Sequence, residues 1–152
     1  MNLLSFKKKI FFSCIQILDQ KVKEYKIALH DLTVGAENDS KSSAGDKHET
    51  ARAMMQLEHE KISRQLNEVL EQKNTLEKIN PGIETSHITQ GSLIKTNKGY
   101  FFLSISLGKI IVEKTEVMIL SAQSPLGLKL LKLKKDETAE INSVQYFIEN
   151  FC

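Results

Sequence analysis

Gly45-Asp46-Lys47-His48-Glu49-Thr50-Ala51 lies between two long runs of helical periodicity. That position makes it the tip of a helical hairpin, the point farthest from whatever anchors the base. It offers two carboxylates, Asp46 and Glu49, where the second helix begins. Residues three apart are neighbours on a helix surface. The rest of the chain reads as a device for presenting these two acids to another molecule.

Upstream of the tip, residues 3–34 contain neither Pro nor Gly. Phe11, Ile15, Leu18, Val22, Tyr25, Leu29 and Leu32 alternate spacings of four and three, a heptad seam that predicts a long first helix. Such a helix extends about 50 Å at 1.5 Å per residue. Residues 35–48 are small and polar and read as a loop. Downstream, Met55, His59, Ile62, Leu66, Val69, Lys73 and Leu76 repeat the seam, so a second helix is predicted from about Asp46 to Lys78. Asn80-Pro81-Gly82 stops it.

After Pro81 the hydrophobic period shortens to that of strands. Ser92 to Lys95 leads into Thr96-Asn97-Lys98-Gly99, a hairpin-turn composition. Tyr100 to Ser106, Ile110 to Val112 and Val117 to Leu120 are rich in aromatic and β-branched residues. Gln123-Ser124-Pro125 is a turn, and Leu126 to Leu131 reads as one or two helical turns. Lys134-Lys135-Asp136-Glu137 is a charged turn, and Thr138 to Asn142 and Val144 to Ile148 close the domain as strands. Two segments are therefore expected: a helical hairpin over residues 1–80 with its acidic tip at 45–49, and a β-rich domain over 84–152.

Composition fits a folded protein, with 41% hydrophobic and 26% charged residues. The net charge of +2 does not by itself imply a polyanionic partner. Its distribution is more informative: residues 1–36 carry +3, residues 37–49 carry −2, and the remainder is nearly balanced. The acidic excess belongs to the tip. Cys14 and Cys152 lie far apart and outside any CxxC pattern, which argues against a disulfide framework or zinc site and suits a reducing, cytoplasmic setting. No window approaches the ~20 apolar residues of a membrane span. Gln16, Asp19 and Gln20 interrupt the apolar N-terminal run that a secretory signal would need.

The layout resembles the bacterial Gre family of transcript-cleavage factors. The family's tip signature, Gly-Asp-x-x-Glu-Asn-Ala, stands here as Gly45-Asp46-Lys47-His48-Glu49-Thr50-Ala51. Its C-terminal pattern of Ser-Pro, a short helix and a Lys-rich turn stands as Ser124-Pro125-Leu126-Gly127, Leu130-Leu131 and Lys134-Lys135-Asp136-Glu137. The resemblance implies an α+β fold, a long antiparallel α-helical hairpin (coiled coil) followed by a small β-rich FKBP-like domain. It implies a transcription elongation factor that binds RNA polymerase and inserts its tip into the secondary channel. There Asp46 and Glu49 would help hold a second Mg²⁺ near the RNA 3′ end and stimulate cleavage of backtracked RNA. The active site would be the polymerase's own, so the chain is a cofactor protein and not an enzyme. The partner-facing residues implied in the β-domain are Ser124, Pro125, Lys134 and Lys135. No small-molecule substrate and no membrane are expected.

The chain departs from the family pattern at Thr50, where Asn is usual, and at Ala53, where an aromatic is usual. Those departures motivate an alternative, a channel-binding regulator without cleavage activity. A coiled-coil adapter for an unrelated protein is a third reading. Asp-x-x-Glu at a helix start is also a capping box, with Asp46 as N-cap and Glu49 reaching back to the free amide. His48 and His59 lack metal-ligand spacing. Lys7-Lys8-Lys9 beside Phe11-Phe12 would suit a membrane surface, but the seam through Phe11 favours packing. Lys21, Lys23, Lys26, Arg52 and Arg64 are candidates for an RNA-facing basic surface or a solvated one.

Overall fold

A computed structural model describes the backbone of residues 2–40 and 45–152 and the side chains of residues 2–37 and 49–152. Helices α1 (Leu3–Ser40) and α2 (Gly45–Glu77) come first. Strands β1 (Leu93–Thr96), β2 (Gly99–Ser104), β3 (Gly108–Val112) and β4 (Thr115–Ser121) follow, then helix α3 (Pro125–Leu130), β5 (Thr138–Ile141) and β6 (Val144–Phe151). The expected helical hairpin and small β-rich domain are both present. In space the chain divides into two compact units, Gln16–Lys73 and Met1–Ile15 with Asn74–Cys152. The division therefore falls at residues 15 and 73, while the period in the sequence changes at Asn80-Pro81-Gly82.

Within Gln16–Lys73, the two helical arms run antiparallel. Asp19 meets Lys73 at one end of the unit, with Oδ1 and Nζ 2.7 Å apart. Gly35 faces Met55 toward the other end, where a Cβ on Gly35 would stand 2.8 Å from the Met55 Cε. Leu18, Ile62 and Val69 are the buried seam residues of this unit. His59, also on a seam position, is exposed.

The predicted loop over residues 35–48 is shorter than its composition suggests. Residues 35–40 continue α1 and 45–48 already belong to α2, while 41–44 lie outside the described residues. The cause is elementary: a polar cluster does not itself break the backbone ladder. Ala36 and Glu37 are good helix formers, and a lone Gly35 costs only about 1 kcal/mol.

In the other unit, six strands form one sheet in the order β3-β4-β2-β1-β6-β5. β1 and β2 pair antiparallel through the two-residue turn Asn97-Lys98, with Thr96 opposite Gly99. β2 and β4 are parallel, with Phe102 opposite Ile119, and β3 returns antiparallel onto β4. The β3–β4 turn, Glu113-Lys114, and the β5–β6 turn, Asn142-Ser143, all have positive φ. Two successive left-handed residues match the twist of paired strands.

The sheet is buried on both faces. Ile94, Phe101, Leu103, Leu120 and Ile148 form one core with Ile88 and with Leu130 of α3. Tyr100, Phe102, Val117 and Ile119 point the other way, as alternation along a strand requires. Phe6 of α1 lies edge-on to Tyr100, with ring centroids 5.3 Å apart. Phe6, Ile10 and Cys14, at intervals of four, are all buried. The basic run that precedes the seam is split among three roles. Lys7 is buried and donates from Nζ to the Ile83 carbonyl at 2.7 Å. Lys9 pairs with Glu113, and Lys8 is exposed. Phe11 is buried while Phe12 stays 61% exposed.

Candidate functional site

The tip is built by the start of α2. With the helix beginning at Gly45, Asp46 is its second residue and Glu49 its fifth. The helix starts one residue before Asp46, and the capping role read for Asp46 rests on a side chain outside the described residues. The Asp46 side chain lies outside the described residues, as does that of His48. Glu49 and Thr50 are exposed and Ala51 is half-buried. Acidic residues near a helix N-terminus are favourably placed in the field of its backbone dipoles. An ionised pair of this kind is acceptor-only and suits a hard cation.

Behind the tip, the two arms leave a groove of about 450 Å³ whose lining includes Leu32, Ala36, Arg52, Met55 and His59. Leu32 and Met55, one residue from each seam, line it. Arg52, one turn or less from Glu49, is exposed. Lys23, Lys26 and Arg64 are exposed too, and Lys21 is half-buried.

In the sheet-containing unit, Ser124 and Pro125 have a structural task. The Ser124 hydroxyl donates to the Ser121 carbonyl at 2.7 Å and accepts from the Gly127 amide at 3.0 Å. It is the N-cap of α3, and Pro125 occupies the first turn, where its missing N–H costs nothing. A Cβ on Gly127 would come 2.2 Å from the Ser121 carbonyl oxygen, so only glycine fits. Lys134 and Lys135 are exposed on the turn that leads to β5. The Lys134 amide is held by the Glu137 carboxylate at 3.1 Å. The segment therefore presents two ammonium groups on a tied turn next to a capped helix.

Sequence reading took Lys7 only as part of the Lys7-Lys8-Lys9 run and did not separate it from its neighbours. The signal was there: a step of four back from Phe11 lands on Lys7, so that residue of the basic run shares the seam's side of the helix. Burial pulls its pKa below the ordinary lysine value, while Cys152 and Glu84 pull it back up.

Among the described residues, no group of three or more His, Cys, Asp or Glu side chains could hold a metal ion. Among the same residues, no helix is long and apolar enough to cross a membrane. The architecture is that of a protein with a helical hairpin and a six-stranded α+β domain. No protein-family model matches the chain, and no curated protein sequence does. A solved structure described as that of the transcription factor Gfh1 is similar over 90% of this chain and 92% of its own, at 14% sequence identity and a TM-score of 0.34.

Proposed function

We propose that this chain is a transcription elongation factor of the Gre type, which binds RNA polymerase and offers its hairpin tip to the polymerase's catalytic centre. The observation that carries the reading is the tip itself: Gly45-Asp46-x-x-Glu49 forms the first five residues of α2, at the end of an antiparallel helical arm. The seams make the arm a stiff carrier for two acids at its tip. Asp46 and Glu49 supply at most two carboxylates, too few for a resident Mg²⁺ site, which takes about six oxygen ligands. They fit a shared ion whose remaining ligands are phosphate, water and polymerase groups. When bound there, a second Mg²⁺ supplies charge stabilisation to the attacking and leaving oxygens of a hydrolysed RNA linkage. The contribution of this chain is to bring the carboxylates and to exclude bulk water.

Ser124-Pro125 and the Lys134-Lys135 turn are proposed as the docking surface of the sheet-bearing unit. Thr50 in place of the family's Asn supports a second reading, a factor that occupies the same channel without promoting cleavage. The deciding experiment adds the purified chain to a stalled, backtracked elongation complex and follows the RNA 3′ end. Mg²⁺-dependent shortening supports the first reading. Binding without shortening, at any Mg²⁺ concentration, rejects it in favour of the second. No binding rejects both.

A further inference from the structure

A cleft of about 500 Å³ opens in the sheet-bearing unit, between the end of α2, the first turns of α1 and the segment before β1. That volume suits a small ligand. Its lining is unlike the apolar pockets that hold most such ligands. Nine lining side chains can donate a hydrogen bond. The Thr85 and Thr89 hydroxyls already donate to the carbonyls of His87 and Gln90, which leaves Lys7, Thr75, Lys78, Asn80, Gln90, Ser92 and Gln123.

The donors are in excess. Lys7 spends one proton on the Ile83 carbonyl, and no carboxylate stands within 4 Å of its Nζ among the described residues. An ammonium offers three donors and no acceptor. The Asn80 Oδ1 accepts from the Gly82 amide at 2.9 Å, which leaves its NH₂ end as the available one. No carboxylate side chain lines the cleft. Burial disfavours the charge on Lys7, and Glu84 and Cys152 offset that only in part, since the shift remains downward. A buried cation of this kind gains from an anion that enters its cleft.

We propose that this cleft binds a phosphomonoester, with Lys7 and Lys78 neutralising the phosphate and the neighbouring amides and Thr75 hydroxyl completing its contacts. Phosphate is favoured over carboxylate by the kind of cation and by the spread of donors. A planar carboxylate is matched by the flat fork of arginine, and no arginine is present; lysine acts as a point charge toward tetrahedral phosphate. The inference is independent of the polymerase reading, because none of these residues belongs to the tip or to the Ser124–Lys135 surface.

The test is an NMR titration of the full ¹⁵N-labelled chain with glycerol 3-phosphate, against succinate and against chloride at matched ionic strength. Saturable shifts confined to amides around Ile79, Gly91, Ser92 and Gln123 are expected with the phosphate ester. Lys78→Gln, on an exposed side chain, should weaken the apparent affinity about tenfold, as expected for one charge-assisted contact. Lys7→Met, which keeps the buried stem, should weaken it at least as much. Should Lys7→Met fail to fold, Lys78→Gln alone decides. A response no larger than that to chloride overturns the proposal, as does an equal response to succinate. Saturable shifts that Lys78→Gln leaves unchanged overturn it too.

Discussion

Lys73 crosses from α2 to Asp19 of α1, Nζ to Oδ1 2.7 Å, at a point where the seam would otherwise carry an apolar residue. The pair marks the register of the arms: the same alignment brings Gly35 to Met55 near the far end of the unit. Both partners are partly exposed, with side-chain exposures of 32% and 51%. The register is therefore held mainly by the buried seam. Asp19→Asn should cost less than ~1 kcal/mol. Ile62→Ala, which removes a buried seam side chain, should cost about 2–5 kcal/mol. Urea unfolding of the two variants measures both, and a larger loss for Asp19→Asn would show that the ion pair carries the hairpin.

At the tip, Asp46→Asn and Glu49→Gln keep side-chain size and helix compatibility while removing charge. Each is expected to abolish cleavage stimulation and to leave polymerase binding within a few-fold. Higher Mg²⁺ should restore part of the activity, because a weakened site refills by mass action. Variants that retain full cleavage would remove the carboxylates from the mechanism.

The start of α3 has no room to vary. Gly127→Ala drives a Cβ into the Ser121 carbonyl and should cost several kcal/mol, at or above the ~1–3 kcal/mol of ordinary overpacking. Ser124→Ala loses one N-cap, worth about 0.5–2 kcal/mol. Thermal unfolding should rank Gly127→Ala well below Ser124→Ala. A reversed order would mean that the helix shifts freely to admit the methyl group.

Cys14 is fully buried, and burial pushes its thiol up to about 12 from an ordinary value of 9.0. Burial raises the Cys152 thiol as well. At pH 8 both should stay unlabelled by Ellman's reagent in the folded chain and react fully in denaturant. The raised value also fixes a sign. Between pH 9 and pH 12 the unfolded chain gives up the Cys14 proton and the folded chain keeps it, so the thiol's contribution to stability is present below pH 9 and lost through that window. Cys14→Ser should flatten the alkaline loss of Tm relative to the parent. Rapid labelling at pH 8 without denaturant would contradict the burial.

The helices and strands were legible because each carries its period on its surface. Phe11, Leu18, Ile62 and Val69 announce the hairpin, and Tyr100 to Ser104 announces the central strand. The end of α1 was not legible, because Glu37 to Ser40 have loop-like composition but no residue that forbids a helix. The two left-handed turns at Glu113-Lys114 and Asn142-Ser143 were hidden for a related reason, since three of the four residues are not the usual Gly or Asn. The acids of the tip were visible as a motif. The cleft around Lys7 was not, because it joins that residue of α1 with Thr75 and Gln123, and no local pattern records such a meeting.

The sheet-bearing unit is assembled from the two ends of the sequence, and that sets an order of events during synthesis. Lys7 must find Ile83, 76 positions later, and Lys9 must find Glu113, 104 positions later. Closing so long a loop directly is slow, and non-local contacts of this kind delay folding. The helical arms shorten the search. Once α1 and α2 zip together through neighbouring heptads, the loops left to close are much shorter than these separations along the chain. A chain leaving the ribosome therefore carries Phe6, Ile10 and Phe11 uncovered until the strands beyond residue 100 have emerged. Slowing or weakening the zipper, as Ile62→Ala does, would lengthen that interval and raise the yield of aggregated nascent protein.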